Sequence, residues 1–431
     1  MTIKAVRGTR DLLPPDTELW NRVEKIAREV FALYNFGEIR TPIFEDTQLF
    51  ARGVGEATDI VSKEMYTWED RARAQSEKAQ SLTLRPENTA SVVRAYIEHK
   101  LWERPGLQKL YYIGPQFRRE RPQKGRYRQF YQIGAEVIGP PTAGSESPAR
   151  DAEVLAMLVT LLQRLGIKDW QLQLNSVGSP SSRPAYNEAL RQALFGVVDR
   201  MCGDCQRRAV TNPLRVFDCK VPEDQPIIET LPRISGFLDQ ADRKHFDAVL
   251  AILTATGVPF TINDRLVRGL DYYTRTAFEF TQGSLGAQNA ILGGGRYDGL
   301  SEALGGQRAP GIGFAIGEDR FVMALADAEG SIKPTSAQAY IAPLGEGMNA
   351  PAAKLAQDLR DAGVRVELGD EGFRLKKSFE TAEKLGISEV VIVGSNEIAS
   401  DEFQVRNIVS GVQTGKRRTD LPGFFRKEIS E

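Results

Sequence analysis

The chain has 431 residues, of which 41% are hydrophobic and 26% are charged, and its formal net charge is -1 with a pI of about 6.3. This length and apolar fraction suffice for two or three domains with buried cores. The near-neutral charge excludes a protein that binds nucleic acid over its whole surface, so any positive field for an RNA partner must be local.

Residue usage also limits the possible locations and chemistries. No apolar core of signal-peptide length is seen at the N-terminus, and no apolar run approaches the ~20 residues of a membrane-spanning helix. Three cysteines do not make a disulfide framework, which favours a reducing cytoplasm. The two histidines, His99 and His245, exclude sites that need several imidazoles, and both are expected at the surface.

The first predicted helix spans residues 17–35. Its apolar residues recur at helical spacing and form one stripe: Leu19, Val23, Ile26, Val30, Phe31 and Tyr34. A strand is predicted at 38–44, after Gly37 ends the helix. Strands at 64–69 and 81–84 follow, joined by a polar arm at 71–80.

The segment LRPENT at 84–89 precedes a predicted helix at about 90–100. Glu87, Asn88 and Thr89 would occupy its first turn, where a helix-capping role is the simplest interpretation. In a second interpretation, Glu87 and Thr89 face a pocket and accept a substrate ammonium group.

The stretch at 110–139 combines basic and aromatic residues. Strands are predicted at 110–113 and 129–138, and the loop between them has one acid, Glu120, among six cations: Arg118, Arg119, Arg121, Lys124, Arg126 and Arg128. Arginine forks suit phosphate oxygens. An aromatic face beside a guanidinium can hold a nucleotide base, and this loop interleaves Phe117, Tyr127, Phe130 and Tyr131 with its cations. The pattern favours a nucleotide site over a solvated hairpin.

A helix at 149–165 and a strand at 170–175 lead into residues 179–256, which are helical, charged and broken by prolines. This change of character predicts an inserted helical domain. It contains Cys202, Cys205 and Cys219, one ligand short of a four-thiolate zinc site. A carboxylate such as Asp204 or Asp218 could complete the set, but the interpretation adopted is three free thiols and no metal.

Three glycine-rich or basic segments follow: LVRGLDYYT at 266–274, which leads into a strand at 277–281, ILGGGRYDGL at 291–300, and PGIGFAIGEDRFVMAL at 310–325. Their spacing does not fit a dinucleotide-binding GxGxxG loop, and no GxxxxGK[ST] phosphate loop is present. The glycines can instead let the backbone approach a ligand closely.

The last part of the chain alternates strands and helices. A polar linker is predicted at 327–336, then strands at 339–342, 365–368 and 390–393 with helices at 350–362 and 376–385. This alternation predicts a small α/β domain with a parallel sheet at 337–431.

Together these segments resemble a known family. FRRE at 117–120 followed by RYRQF at 126–130 resembles the second signature motif of class II aminoacyl-tRNA synthetases, and the surrounding residues are similar to histidyl-tRNA synthetases. LRPENT, RGLDYYTRTAFEF, GGGRYDGL and GIGFAIGEDR resemble further motifs of that family. The resemblance implies an α+β class II catalytic domain on an antiparallel sheet (1–326, insertion about 179–256), a linker and a C-terminal α/β anticodon-binding domain. The first helix and strand resemble the motif that forms the family's dimer interface.

The resemblance also implies a reaction. Histidine would be activated with ATP and Mg²⁺, and transferred to tRNA(His) by a cytoplasmic homodimer without membrane contact. The implied catalytic residues are Arg118 and Arg268. The implied ATP-binding residues are Arg118, Glu120, Arg126, Phe130 and Arg320. The implied histidine-binding residues are Glu87, Asn88, Thr89, Gln132, Glu136, Arg268, Tyr272, Tyr273 and Tyr297. Asp319 stands where the family usually has Glu, which leaves its contact open.

Three alternatives were weighed. A non-catalytic, synthetase-like regulatory subunit of ATP phosphoribosyltransferase typically lacks the C-terminal domain and loses the ATP-binding arginines. This chain has residues 337–431 and keeps Arg118, Arg268 and Arg320. RGLDYY and GGGRYDGL argue against a prolyl or threonyl synthetase, and the glycine runs fit a nucleotide-dependent oxidoreductase poorly.

Overall fold

The computed structural model describes residues 2–427 except 57, 71–78, 124, 284–289 and 330–336. Most of the predicted polar arm, Lys124 and residues 330–336 of the predicted linker therefore lie outside the described residues. The chain divides into two compact units, Met1–Ile332 and Lys333–Glu431. Each unit has its own hydrophobic core.

The first unit is an α+β structure built on a large sheet. Its described strands are β1 (Gly37–Glu38), β2 (Phe44–Asp46), β3 (Tyr66–Asp70), β4 (Gln80–Leu84), β5 (Gln108–Phe117), β6 (Gln129–Ile138), β7 (Trp170–Ser176), β8 (Thr261–Ile262), β9 (Thr274–Gln282), β10 (Ala290–Arg296) and β11 (Gly311–Gly317). Eight form one sheet in the order β1-β5-β6-β11-β10-β9-β7-β8, and β2-β4-β3 form a smaller one. The six central strands of the large sheet pair antiparallel, as expected, whereas β1 and β8 pair parallel at its edges.

Helices cover one face of this sheet. The described helices are α1 (Asp16–Leu33), α2 (Thr47–Val54), α3 (Thr89–Glu98), α4 (Pro148–Arg164), α5 (Arg183–Phe195), α6 (Gly203–Thr211), α7 (Gln225–Thr230), α8 (Gln240–Ala255), α9 (Leu300–Ala303) and α10 (Glu318–Glu329). The main core joins α1, α4, α8 and α10 to the sheet, and it buries the predicted α1 stripe through Leu19, Val23, Val30 and Phe31. None of the helices in the described part of the chain is both long and apolar enough to cross a membrane.

The other face of the sheet carries polar side chains. Successive residues of a strand face opposite sides. On β6, Ile133 and Ala135 join the core under the helices, so Gln132 and Glu136 face the opposite side. On β5, Tyr111 lies in the core. The next residue, Tyr112, therefore faces the same side of the sheet as Gln132 and Glu136. This polar face is where a site can form.

The prediction of one continuous strand at 38–44 is wrong. Gly37–Glu38 pairs with β5, but Phe44–Asp46 pairs with β4 in the smaller sheet. Pro42 lies between the two short strands and has no N–H to donate to a strand ladder. The chain therefore passes from one sheet to the other at this point.

The inserted segment has a small core of its own. Tyr186, Leu190, Phe217 and Ile228 are among the buried residues of a cluster drawn mainly from residues 186–238. By contrast, the C-terminal helix of the predicted insertion, α8, packs on the main core of the unit.

The prediction that His245 lies at the surface is wrong. Its side chain is buried, and Nε2 lies 2.9 Å from Oδ2 of Asp151 on α4. Asp151 also accepts hydrogen bonds from Thr276 Oγ1 (2.6 Å) and from Nη1 of Arg296 (2.5 Å). Arg296, the arginine of GGGRYDGL, is fully buried and bonds to Asp298 as well. This network joins α4, α8, β9 and β10.

Removal of the Asp151 carboxylate is expected to destabilise the first unit strongly. Asp151→Ala leaves the buried Arg296 cation without its closest partner, which costs about 3–5 kcal/mol in proteins. Urea unfolding of the full chain measures the change. Glu98→Gln is the control, because Glu98 forms an exposed pair with Arg94 that is worth under about 1 kcal/mol. Equal effects of both variants would contradict the assignment.

The second unit is a small α/β domain. Its described strands are β12 (Ala339–Leu344), β13 (Val366–Leu368), β14 (Glu389–Gly394), β15 (Glu402–Asn407) and β16 (Gln413–Arg417), and its helices are α11 (Asn349–Asp361), α12 (Leu375–Lys384), α13 (Ser395–Ser400) and α14 (Leu421–Lys427). Strand order is β13-β12-β14-β15-β16. The predicted parallel pairing is confirmed for β13, β12 and β14. β15 and β16 add antiparallel strands that the sequence analysis missed, because β16 is polar and mostly exposed.

Candidate active site

A cavity of about 360 Å³ lies on the polar side of the large sheet. It brings together Arg118, Arg268 and Arg320, which lie far apart in the sequence. The predicted site residues in its lining are Glu87, Thr89, Arg118, Glu120, Arg126, Phe130, Gln132, Arg268, Tyr272, Tyr273 and Arg320. With Arg126, four arginines line this one cavity, and they provide the positive charge that a polyphosphate needs.

The loop between β5 and β6 supplies one wall. Arg118 Nε donates a hydrogen bond to the carbonyl oxygen of Pro86 (2.9 Å), and its guanidinium lies 5.2 Å from the ring centre of Phe130. Glu120 lies between two cations, 3.9 Å from Arg118 Nη1 and 3.3 Å from Arg126 Nη1. The wall therefore presents a net positive, partly aromatic surface, as the sequence pattern predicted.

The start of α10 supplies Asp319 and Arg320. Asp319 accepts hydrogen bonds from Arg10 Nη2 (2.7 Å) and from the backbone N–H of Tyr131 (3.0 Å). Asp319 thus ties the N-terminal segment to β6. Burial, together with the nearby Arg126, lowers the pKa of Arg320, as two cations facing one cavity should.

The side chain of Arg268 lies on the sheet surface above Gly293 of β10. Its Nη1 lies 2.8 Å from Glu279 Oε1 on β9, and a Cβ at Gly293 would stand 2.5 Å from the same nitrogen. The glycine is needed because any side chain there would displace the guanidinium. Burial opposes the charge, but Glu279 and neighbouring groups raise the pKa of Arg268 above its ordinary value. Nε of Arg268 has no hydrogen-bond partner among the described residues.

Glu87 has the first of the two predicted roles, and its place in the lining is compatible with the second. Its carboxylate accepts hydrogen bonds from the backbone N–H groups of Thr89 (2.8 Å) and Ala90 (3.0 Å), so it caps α3. A carboxylate has about four acceptor sites, which leaves capacity for an ammonium group in the cavity. Burial raises the pKa of Glu87, and a bound cation would counteract that shift.

Glu136 lies one hydrogen bond behind the cavity lining. It is fully buried, and Thr89 Oγ1 donates to its Oε1 (2.7 Å). Burial raises the pKa of Glu136 to about 8. Its Oε2, and Oε1 of the lining residue Gln132, have no hydrogen-bond partner within the described ranges. A buried polar atom without a hydrogen-bond partner costs free energy. These two atoms therefore indicate that a polar ligand binds here.

Comparisons with known proteins agree with this geometry. The sequence profile of the histidyl-tRNA synthetase family matches residues 8–320, and that of the anticodon binding domain matches residues 338–428. The chain belongs to the histidyl-tRNA synthetase family. A histidine–tRNA ligase from Koribacter versatilis is 70% identical over 98% of this chain and 96% of its own, and one from Solibacter usitatus is 57% identical over 97% and 98%. The apo S. aureus histidyl-tRNA synthetase structure is 37% identical, covers 98% of this chain and 100% of its own, and has a TM-score of 0.80.

Besides Glu136, two residues that the family resemblance placed at the histidine site, Asn88 and Tyr297, lie outside the cavity lining. Asn88 is buried and accepts a hydrogen bond from Thr41 Oγ1 (2.7 Å), which orients the turn before α3. Tyr297 is buried beside Glu136. Asn88 therefore has a structural contact, and Tyr297 lies behind two site residues, Glu136 and Tyr272.

The sequence analysis missed two residues of this synthetase site, Tyr112 and Glu279. Both line the cavity. Alternation along their strands could have found them, because each is flanked by residues of the main core. Tyr112 faces Gly134 on β6, where a Cβ would stand 2.4 Å from its ring.

Proposed function

We propose that this protein activates L-histidine with ATP and then transfers it to the 3′ end of tRNA(His). The observation that carries the proposal is one cavity lined both by the cations Arg118, Arg268 and Arg320 and by the acceptors Glu87, Thr89 and Gln132. The cations suit a triphosphate, and the acceptors suit the ammonium group of an amino acid.

In the first step the histidine carboxylate attacks the α-phosphorus of ATP. A carboxylate–phosphorus bond forms, the bond to the bridging oxygen breaks, and pyrophosphate leaves with the electron pair. Because two anions must approach each other, fixed positive charge at the reacting phosphorus stabilises the transition state. We assign this role to Arg118 and Arg268, and the binding of adenine to Arg320 and Phe130, with Arg126 and Glu120 holding the triphosphate and the base.

The imidazole ring needs one donor and one acceptor, because a neutral ring has one nitrogen of each kind. We assign these contacts to Tyr273 in the lining and to Glu136 directly behind it. Tyr272, also in the lining, and the buried Tyr297 are their neighbours. Tyr272 and Tyr273 lie in ring contact, with centroids 4.8 Å apart. A site of this kind rejects apolar amino acids, because its buried polar groups would stay unpaired.

Mg²⁺ is expected to accompany ATP. It is usually bound by one or two carboxylates together with substrate phosphates. Glu120 and Glu279 are carboxylates of the lining beside the arginines, so the residues fit such an ion. When bound, Mg²⁺ supplies charge neutralisation for the phosphates.

In the second step the terminal ribose hydroxyl of tRNA attacks the activated carbonyl carbon, and AMP leaves. We propose that the second unit binds the anticodon of this tRNA, in line with the profile that matches residues 338–428. We also propose a homodimer, because α1 and the strand segments after it resemble the family's interface motif.

The full chain is expected to exchange labelled pyrophosphate into ATP with histidine and with no other amino acid, and to charge tRNA(His). Both assays follow directly from the two steps. Arg265→Ala is a suitable control, because Arg265 pairs with Glu229 and Gln225 rather than lining the cavity. Stoichiometric binding of histidine without exchange would instead support a regulatory subunit.

A further inference from the structure

Three cysteines and one aspartate converge in the inserted segment, away from the cavity. The Sγ atoms of Cys202, Cys205 and Cys219 and a carboxylate oxygen of Asp224 all lie within 4.8 Å of one another. Cys205, Cys219 and Asp224 are buried, and Cys202 is partly buried. The chain has only three cysteines, so all of its thiols meet at this point.

The carboxylates considered from the sequence are not part of this group. Asp204 pairs with Arg207 (3.0 Å) and Asp218 pairs with Arg215 (2.7 Å). The structure corrects the fourth member to Asp224, which comes from the turn before α7. No signal in the sequence indicates this residue, because no metal-ligand spacing relates Asp224 to the CxxC pair.

The spacing fits a tetrahedral ion. Ligands at a Zn–S distance of about 2.3 Å and tetrahedral angles place sulfurs about 3.8 Å apart. Cys202 Sγ and Cys219 Sγ are 3.8 Å apart, and Cys219 Sγ is 3.1 Å from Asp224 Oδ2. The sulfur–sulfur separation is far longer than a disulfide bond of about 2.05 Å.

Hydrogen bonds hold the side chains of Asp224 and Cys219, and the backbone around Cys219, in place. The N–H of Cys202 donates to both carboxylate oxygens of Asp224 (3.0 and 3.2 Å). The N–H of Val221 donates to Cys219 Sγ (3.4 Å), and Gln225 Nε2 donates to the carbonyl oxygens of Cys219 and Val221 (3.0 and 3.1 Å). Such outer hydrogen bonds orient metal ligands and tune their basicity.

We propose that Cys202, Cys205, Cys219 and Asp224 bind one divalent transition-metal ion in a structural site, with Zn²⁺ as the ion that this ligand set suits best. Binding releases the three thiol protons to solvent. The ion links the start of α6 to the turn before α7. It thereby fixes a segment whose own hydrophobic core is small, as metal sites do in other small folding units.

The site has a structural connection to the active-site loop. Between Cys205 and Cys219, Asn212 Nδ2 donates to Asp271 Oδ1 (2.7 Å), and Arg215 Nη1 donates to the carbonyl oxygen of Gly269 (2.9 Å). These two contacts support the loop that carries the neighbouring Arg268. Loss of the ion is therefore expected to loosen that loop as well as the inserted segment.

Elemental analysis of the purified full chain tests the proposal directly. We expect one zinc per chain in the native protein, loss of zinc in Cys205→Ser and Asp224→Asn, and a lower thermal midpoint after treatment with a chelator. Asp204→Asn is the matched control, because it removes a nearby carboxylate outside the cluster, and it should retain one zinc. Retention of zinc by Asp224→Asn and Cys205→Ser would overturn the assignment.

A second measurement covers variants that fail to fold. Co²⁺ added to the chelator-treated native chain should give an intense thiolate-to-metal charge-transfer band and protect all three thiols from a thiol reagent. Because no other cysteine exists in the chain, both signals can arise only from this cluster. Absence of zinc in the native protein together with no Co²⁺ band, or a disulfide between two of these cysteines, would reject the site.

Discussion

Replacement of Arg268 by alanine is expected to lower histidine-dependent pyrophosphate exchange by at least ~10²-fold, the effect of removing one electrostatic donor from a transition state. The guanidinium lies in the cavity at a fixed position, held by Glu279 at 2.8 Å. Its loss should reduce kcat more than it raises the KM for ATP, because the charge acts where the phosphorus is attacked. Exchange kinetics at saturating histidine measure the change.

Two further variants separate charge from position. Arg268→Lys keeps a cation but loses the planar fork, so it should recover only part of the activity. Gly293→Ala leaves Arg268 in the chain but places a Cβ 2.5 Å from its Nη1, so it should also slow exchange. Arg265→Ala, outside the lining, should exchange at the native rate. Near-native exchange by Arg268→Ala would remove the proposed role.

Replacement of Glu136 by alanine is expected to raise the KM for histidine by about 10- to 100-fold, the range for leaving a buried polar group unpaired. The KM for ATP should change far less, because the arginines assigned to ATP line the cavity, whereas Glu136 lies behind the lining. Exchange kinetics with each substrate varied in turn measure both constants. Equal increases in the two constants would contradict the assignment of Glu136 to the imidazole.

The Glu136→Gln variant tests the protonation state of this carboxyl group. Its pKa is raised to about 8 by burial, so the group is mostly protonated at pH 7 and can donate to the ring. As pH rises through about 8 the proton is lost, and kcat/KM for histidine should fall in the native protein. The amide donates at every pH, so the variant should lack this fall. The same fall in both proteins would assign it to another group.

Local patterns in the sequence predicted several parts of the fold and site. The stripe of α1 followed from the helical spacing of its apolar residues, and the strand at 129–138 followed from its aromatic and β-branched residues. The basic and aromatic loop around Arg118 indicated a nucleotide site, because repulsion among like charges needs an anionic partner. The alternation of residues along β5 and β9 also indicates that Tyr112 and Glu279 face the cavity side of the sheet.

Other features depend on which strands become neighbours. Residues 118, 268 and 320 share a cavity only because β6, β11, β10 and β9 are adjacent in the sheet, and no local spacing specifies that order. The position of Gly293 beneath Arg268 likewise depends on the strand order and not on any local spacing.

By itself the sequence determined the family resemblance, the two-unit organisation and eleven of the residues that line the cavity, because these rest on local composition and on motifs along the chain. Only the tertiary structure decided that Asn88 turns to Thr41, that His245 is buried against Asp151, and that Asp224 joins the thiols. The physical reason is that each of these contacts joins distant segments. Their separation is set by packing and strand register, which local residue preferences do not fix.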